Sequence, residues 1–164
     1  MKNKNRGFNV IELIVTLGIA STLMSLAIPS YRWMVQNNRV VATTNTLVTA
    51  IQMARSEAIK QGVELQLVAR DGDWNAGWDI GIDLDGDGSF DGDGESILQG
   101  WDGPGDGLAL SMAANRVSIR ANGRARDAAA FVVTPHECTS GQNLQRQVNV
   151  ATSGQVATVA VACP

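Results

Sequence analysis

The fold is decided by residues 6–17, which read Arg6-Gly7-Phe8-Asn9-Val10-Ile11-Glu12-Leu13-Ile14-Val15-Thr16-Leu17. They open an apolar run that reaches Ile28 and contains one charged residue, Glu12. About 21 such residues form a helix of roughly 31 Å, which matches the hydrocarbon core of a bilayer. The run follows three cations, Lys2, Lys4 and Arg6. Cations on this side predict a cytoplasmic N-terminus and a periplasmic remainder.

Glu12 is an acid in a segment that otherwise suits hydrocarbon. A charged side chain inside the bilayer costs about 2.5 to 3.5 kcal/mol on insertion scales, and acids retained there are usually functional. We therefore expect the carboxylate of Glu12 to have a partner. The alternative is an acid near the headgroups that merely extends its carboxylate to water.

Length and charge limit the remainder of the chain. The 164 residues, less a membrane segment of about 22, leave room for one domain with a core of its own. Loss of residues 1–7 would leave 10 basic against 16 acidic residues, a net charge of −6. This balance disfavours a generally basic nucleic-acid-binding protein.

Two cysteines, Cys138 and Cys163, follow the apolar segment. They do not have CxxC spacing, and the chain has a single histidine, His136, which we interpret as a loop residue. A metal site or Cys/His catalysis is therefore disfavoured, whereas an exported domain favours a disulfide between the two cysteines. No constellation in the sequence supports an enzyme.

Beyond the apolar run the helix is predicted to continue and to become amphipathic. Pro29 should kink or loosen it, and Gly62 is its stop signal. Apolar residues recur between them at helical steps, at Val40, Leu47, Ile51, Ala54 and Ala58. We predict four segments: a leader (1–7), a transmembrane and assembly helix (8–29), an amphipathic helix (30–62) and a β-rich globular head (63–164).

From Val63 the hydrophobic period changes to two, which is typical of half-buried strands. In the first strand, apolar side chains alternate with Glu64 and Gln66. Turns are predicted at Arg70–Asp73, Asn122-Gly123 and Ser153-Gly154. Strands are predicted at 63–67, 78–84, 96–101, 108–112, 116–121, 129–134, 144–151 and 155–162. The fold class is α+β, with a long helix packed on an antiparallel, meander-like sheet.

Several motifs occur together between residues 6 and 100. They are Arg6-Gly7-Phe8, Glu12 at the fifth position after Gly7, Pro29-Ser30-Tyr31, Met53-Ala54-Arg55-Ser56-Glu57-Ala58, and the pair Trp74 and Trp78 around Gly77, followed by Asp83 and Glu95. With these motifs the chain resembles the FimT/GspH family of type IV minor pilins and type II secretion pseudopilins. That resemblance implies a pilin-like fold.

The resemblance also implies a prepilin that prepilin peptidase cleaves between Gly7 and Phe8, with N-methylation of Phe8. Glu12 would pair with the positively charged N-terminus of a neighbouring subunit and fix its register. The implied partners are prepilin peptidase, other pilin or pseudopilin subunits, an inner-membrane assembly platform and, before assembly, membrane lipid. The implied location is the inner membrane, single-pass, with a periplasmic head and incorporation into an extracellular pilus. No cofactor is expected.

Six acids crowd into 13 residues of the head: Asp83, Asp85, Asp87, Asp91, Asp93 and Glu95. Aspartates at alternate positions followed by Gly88 resemble the start of an EF-hand calcium loop. However, the twelfth position is Gly94, and a predicted strand precedes the loop where an EF-hand has a helix. The alternatives are a calcium loop of another type and a solvated acidic hairpin.

Four arginines form a second cluster: Arg116, Arg120, Arg124 and Arg126. Some FimT-type pilins bind DNA through a Gly-Arg-x-Arg motif, which residues 123–126 match in text. The intervening turn resets the facing of the strands, so the sequence does not place all four on one face. The final turn, 153–157, has no basic residue. The alternatives are DNA capture and a solvated arginine hairpin, and the Gly-Arg-x-Arg text favours the pilus over the secretion machine.

Overall fold

The computed structural model describes residues 9–164, so the predicted leader and the Gly7-Phe8 junction lie outside the described residues. The chain divides into two compact units, Met1–Gln36 and Asn37–Pro164. A single helix, α1, runs from Val10 to Gln61 and contributes residues to both units.

Helix α1 includes Pro29 and continues on both sides of it, and the kink or loosened turn that we expect there stays a prediction. Proline removes only one backbone donor, and the surrounding turns retain their helical assignment. The helix ends as predicted, because Gly62 adopts a φ of +70° and donates its N–H to the carbonyl of Ala58 at 3.0 Å. Glycine reaches this left-handed conformation without a steric penalty, so it is the usual residue after a helix.

Within the second unit, one face of α1 is buried. Its buried residues are Val40, Thr44, Leu47, Ala50, Ile51, Ala54 and Ala58, which confirms the predicted helical periodicity. Thr44 is the polar member, and its hydroxyl donates to the carbonyl of Val40 at 2.7 Å. The buried hydroxyl is therefore satisfied inside the helix.

Eight strands follow the helix, and each of the eight predicted strand segments overlaps one of them. They are β1 (Leu65–Ala69), β2 (Gly77–Ile82), β3 (Ser96–Asp102), β4 (Leu108–Ser111), β5 (Arg116–Ile119), β6 (Ala129–Pro135), β7 (Gln145–Val150) and β8 (Val156–Val161). A short 3₁₀ turn, Arg70–Gly72, connects β1 to β2 where a turn was predicted.

The strands form two antiparallel sheets, so the prediction of one meander-like sheet is wrong. Sheet A has the order β3-β2-β1-β5, and sheet B has the order β4-β6-β7-β8. The chain leaves sheet A after β3, places β4 beside β6, and returns β5 to pair with β1. A period of two fixes which face of a strand is buried, but it does not choose the neighbouring strand.

One core joins α1 to both sheets. Leu47 and Ile51 of the helix, Trp78 of β2, and Phe131 and Val148 of sheet B are all buried in it. In the described chain every buried hydrophobic residue lies between residues 40 and 163, which is within the second unit.

Strand β1 is covered on both faces, which corrects the half-buried strand that we predicted. All five of its residues are buried, including Gln66, and Val63 precedes the strand and is exposed. Gln66 Nε2 donates to the carbonyl of Asp83 at 3.4 Å. The segment after β2 therefore covers the face of β1 that alternation assigned to solvent.

Cys138 and Cys163 form a disulfide, with their Cα atoms 5.5 Å apart, as predicted. Next to it, the N–H of Cys163 donates to the carbonyl of Gln142 at 2.8 Å. These two links fasten the end of the chain, just after β8, to the loop that follows β6. The cross-link also restricts the unfolded chain, which is how disulfides stabilise small domains in the chain-entropy model.

Candidate functional site

The first candidate site is the uncovered apolar surface of α1 in the first unit. None of residues 9–36 is buried, and α1 is long and apolar enough to cross a membrane by length and composition. The exposed large apolar side chains there are Val10, Ile11, Leu13, Ile14, Val15, Leu17, Ile19, Leu23, Met24, Leu26, Ile28, Tyr31, Trp33 and Met34. So large an exposed apolar surface belongs in lipid or against other helices.

The hydroxyl groups in this segment are compatible with an apolar environment. Those of Thr16, Ser21, Thr22 and Ser25 each donate to a backbone carbonyl three or four residues earlier, at 2.7 to 2.9 Å. A polar group that is satisfied inside its own helix costs little in hydrocarbon. Tyr31 and Trp33 lie just beyond the apolar run, and such aromatic side chains favour membrane interfaces.

Glu12 lies in the first turn of α1 and is exposed. Among the described residues, no salt bridge includes its carboxylate. Its position near the helix N-terminus is favourable for a negative charge, because the helix dipole is positive there. The side chain is therefore available to a cation outside this part of the chain.

The acidic segment forms the loop between β2 and β3, and its carboxylates accept hydrogen bonds from the loop's own backbone. Asp83 accepts from the N–H groups of Gly86 at 2.6 Å and Gly88 at 3.1 Å. Glu95 accepts from Leu84 at 2.8 Å and from Gly92 at 2.8 Å. The two ends of the loop are thus held by one carboxylate each.

Three of the aspartates meet at one point. Ligand oxygens of Asp83, Asp85 and Asp87 lie within 4.8 Å of one another. The N–H of Ser89 donates to Asp87 at 2.7 Å and is the main cause of a lowered pKa of that carboxyl. The side chains of Asp91, Asp93 and Glu95 are outside this group of three.

Arg116 closes the acidic loop from the side of β5. Its Nη1 lies 3.6 Å from Asp83 Oδ2, and the same nitrogen donates to the carbonyl of Gly86. The Asp83 side chain is 0% exposed, so it is not part of a solvated hairpin. A cation from the protein therefore already lies beside the most buried of the aspartates.

The arginine cluster shares one face of sheet A. Ser118 is paired with Gln66 across the sheet, and the N–H of Arg126 donates to the carbonyl of Ser118 at 2.9 Å. Arg120 is opposite Arg124, whose carbonyl accepts the N–H of Arg120 at 2.9 Å. Opposed residues of an antiparallel pair lie on the same face, as do alternate residues of one strand. All four arginines, Arg116, Arg120, Arg124 and Arg126, are thereby placed on the face opposite the core.

Two of the four guanidinium groups are already paired. Arg126 makes a two-oxygen contact with Glu64, at 2.8 and 2.7 Å, and these hydrogen bonds raise its pKa. Arg116 holds the acidic loop. Arg120 and Arg124 are exposed and have no salt bridge to any described residue. Of the four arginines in the cluster, two are therefore free to bind an anion.

Residues 43–154 match the family model described as Type II transport protein GspH. The match covers more than half of the chain. The chain belongs to the GspH family. No curated protein matches the sequence significantly.

Solved structures similar to this GspH-family chain are pilin-like proteins. The crystal structure of the type IV minor pilin FimU of Pseudomonas aeruginosa matches with a TM-score of 0.63 and 22% identity, over 74% of this chain and 89% of that chain. The minor pseudopilin EpsH from the type 2 secretion system of Vibrio cholerae matches with a TM-score of 0.55 and 13% identity, over 74% and 97%. These likenesses confirm the predicted pilin-like fold.

The Ala-Arg-Ser-Glu-Ala stretch of this family member joins the helix to two turns of the head. Arg55 Nη1 donates to the carbonyl of Gly154 at 3.2 Å. Gly123 and Gly154 are both buried and have φ values of +75° and +82°. A Cβ at Gly154 would lie 2.1 Å from the carbonyl oxygen of Gly123, so the two turns touch through their backbones. This role for Arg55 was not predicted, because the two glycines are distant from it in sequence.

Gly77 and Trp78, which belong to the motifs shared with the family, also have a packing role within the head. Trp78 is buried in the core as predicted, and Gly77 has a φ of +123°. A Cβ on Gly77 would lie 2.4 Å from the carbonyl oxygen of Trp101 in β3. Beside it, Arg70 pairs with Asp79 through two hydrogen bonds of 3.2 and 2.7 Å. Both motifs therefore serve packing within the head.

Proposed function

We propose that this GspH-family chain is a minor pilin-like subunit that is assembled into a type IV pilus. The observation that supports it is the uncovered apolar surface of α1 over residues 10–34, with one acid, Glu12, in its first turn. Before assembly this surface lies in the inner membrane, with the head in the periplasm. After assembly it lies among the corresponding helices of other subunits. The proposal assigns no catalytic activity to the chain.

The physical basis of the transfer is that lipid tails and neighbouring apolar helices are nearly equivalent surroundings for this surface. Little hydrophobic free energy therefore separates the two states, and packing and polar contacts select between them. Glu12 supplies the polar contact. Its carboxylate pairs with the N-terminal amine of a neighbouring subunit, and in an apolar bundle removal of one partner leaves an uncompensated charge. One such pair fixes the axial register of each subunit.

The further partners follow from the same proposal. Prepilin peptidase cleaves between Gly7 and Phe8, and Phe8 is then N-methylated. This cleavage creates the free N-terminal amine near the acid at position 12. An inner-membrane assembly platform extracts the cleaved subunit and adds it to the filament.

Substitution of Glu12 tests the assembly role. We expect Glu12→Ala to leave the amount of the protein in membranes unchanged and to reduce its amount in filaments sheared from cells by at least about tenfold, since breaking a charge pair in an apolar site costs about 3 to 5 kcal/mol. The matched control is Glu57→Ala, which removes a half-buried acid that contacts Lys60 at 3.2 Å on the same helix. Immunoblots of sheared and membrane fractions measure both.

The same fractions distinguish the pilus from the secretion machine. A pilus subunit is recovered in the sheared surface fraction, whereas a GspH-type pseudopilin stays in the envelope and its deletion stops protein secretion. Normal incorporation of the Glu12→Ala protein would contradict the role of Glu12. Loss of secretion with intact pili in a deletion strain would instead assign the chain to type II secretion.

DNA capture is the second candidate function. It is favoured by the common face of the four arginines, and it is opposed by the pairing of Arg126 with Glu64 and of Arg116 with Asp83. Two free cations neutralise few phosphates and release few counterions, so they supply little affinity for a duplex at physiological salt. We expect no mobility shift of duplex DNA at physiological salt. A shift that Arg120→Ala with Arg124→Ala abolishes would establish DNA capture.

A further inference from the structure

Strand β8 (Val156–Val161) is an open edge of sheet B. Among the described strands it is paired only with β7, and its residues are exposed or half-buried. The exposed side chains include Val159, which is 51% exposed. An edge strand presents a row of backbone donors and acceptors to any other strand.

The hairpin that leads into β8 shows which backbone groups face outward. The N–H of Ala151 donates to the carbonyl of Gln155 at 2.9 Å, so these two residues form a hydrogen-bonded pair. Hydrogen-bonded and non-hydrogen-bonded pairs alternate along an antiparallel ladder. The register from Val150↔Val156 to Gln145↔Val161 has no shift. The outward-facing backbone groups therefore belong to Val156, Thr158 and Ala160.

This edge lacks the features that usually protect an edge strand. The chain has no charged side chain from residue 147 to 164, and its only proline in that range is the last residue, Pro164. The ladder has no bulge. Natural sheets place lysine, proline or a bulge at exposed edges to prevent pairing with another chain.

The strand is also fastened at both ends. The turn at Gly154 is held by Arg55, and Cys163 is linked to Cys138. A strand that is already extended and anchored loses little conformational entropy when it pairs. The edge is thus uncharged, regular and pre-organised.

We propose that β8 pairs with β8 of a second copy of this chain, antiparallel and about a two-fold axis at Thr158. The outward groups then match, because Thr158 is opposite the Thr158 of the other copy and Val156 is opposite its Ala160. The arrangement forms about six backbone hydrogen bonds and continues sheet B through both copies. Every opposed pair is small and uncharged, and Thr opposite Thr is a favourable cross-strand pair. This interface goes beyond the proposed role of α1 in assembly.

The test exploits the two-fold axis. In an antiparallel hydrogen-bonded pair the Cα atoms are about 5.5 Å apart, so a charge at residue 158 faces its own copy. Thr158→Lys and Thr158→Glu each place like charges opposite each other, whereas a mixture of the two places opposite charges there. Val159→Lys is the control, because it adds the same charge to β8 away from the axis. All four proteins are measured as full-length chains in detergent micelles by sedimentation across concentration.

The expected result is a concentration-dependent dimer for the native chain and for Val159→Lys. Each single Thr158 variant should dimerise about fivefold more weakly, and mixing them should restore the native affinity. A native chain that stays monomeric at the highest concentration overturns the proposal. So does a dimer that Thr158→Lys leaves unchanged, since that association would involve another surface. Association through α1 alone is insensitive to residue 158, so this result is independent of the Glu12 experiment.

Discussion

Gly154 lies in the turn between β7 and β8, where it contacts both helix α1 and the turn at Gly123. Its carbonyl accepts from Arg55, its φ is +82°, and the backbone of Gly123 lies against it. Sequence reasoning identified Ser153-Gly154 and Asn122-Gly123 as turns, which is correct. It did not predict that the two turns touch, because short-range turn chemistry contains no information on contacts between distant turns.

Gly154→Ala tests this contact. The new Cβ would lie 2.1 Å from the carbonyl oxygen of Gly123, and backbone cannot move aside as a flexible side chain can. We expect the free energy of unfolding to fall by about 3 kcal/mol or more, from the left-handed conformation and the clash together. Gly141→Ala is the control, because Gly141 has a φ of +86° and nothing within 4 Å of the new Cβ.

Chemical denaturation of the two variants separates strain from contact. The Gly141→Ala protein should lose only the cost of a left-handed alanine, about 1 to 2 kcal/mol. Equal losses for both variants would mean that the contact between the turns contributes nothing to stability.

At the scale of the element, periodicity predicted more of the helix than of the sheets. The buried face of α1 and its end at Gly62 were predictable because both depend on residues three or four apart. Strand β1 was mispredicted because Gln66 lies beneath the acidic loop, where its Nε2 reaches the carbonyl of Asp83. The partner of each strand was not predictable either, since β4 and β5 are consecutive in sequence but lie in different sheets.

The acidic loop carries a prediction of its own. The carboxylate of Asp83 already accepts two backbone N–H groups and lies 3.6 Å from Arg116 Nη1. A calcium ion would have to compete with that guanidinium. We therefore expect millimolar calcium to leave the midpoint of thermal unfolding unchanged from that in chelator, because only a ligand that binds the folded state raises it.

Arg116→Gln makes the calcium experiment more sensitive. It removes the competing positive charge and leaves the three aspartates together, so calcium is more able to raise the midpoint of thermal unfolding in this variant than in the native protein. A rise in the native protein that Asp85→Asn abolishes would contradict the prediction and would establish the calcium loop.

At the scale of the whole molecule, the two units differ in whether their apolar side chains are buried within the protein. The second unit contains every buried hydrophobic residue of the described chain, together with the disulfide. The described part of the first unit has an apolar surface with no cover and hydroxyls that are satisfied by its own helix. The sequence predicted an apolar helical segment followed by a head with its own core, because this contrast depends on composition and length, which need no long-range contact.

The measurement that tests the central proposal most directly is the N-terminal sequence and intact mass of the protein purified from membranes. The proposed pairing of Glu12 with the N-terminal amine of a neighbouring subunit requires that the leader has been cleaved between Gly7 and Phe8. We expect a mature chain that begins at Phe8 and is heavier by one CH₂ than disulfide-bonded residues 8–164, because a methyl group replaces one amine hydrogen. A chain that still carries residues 1–7 would contradict the proposal.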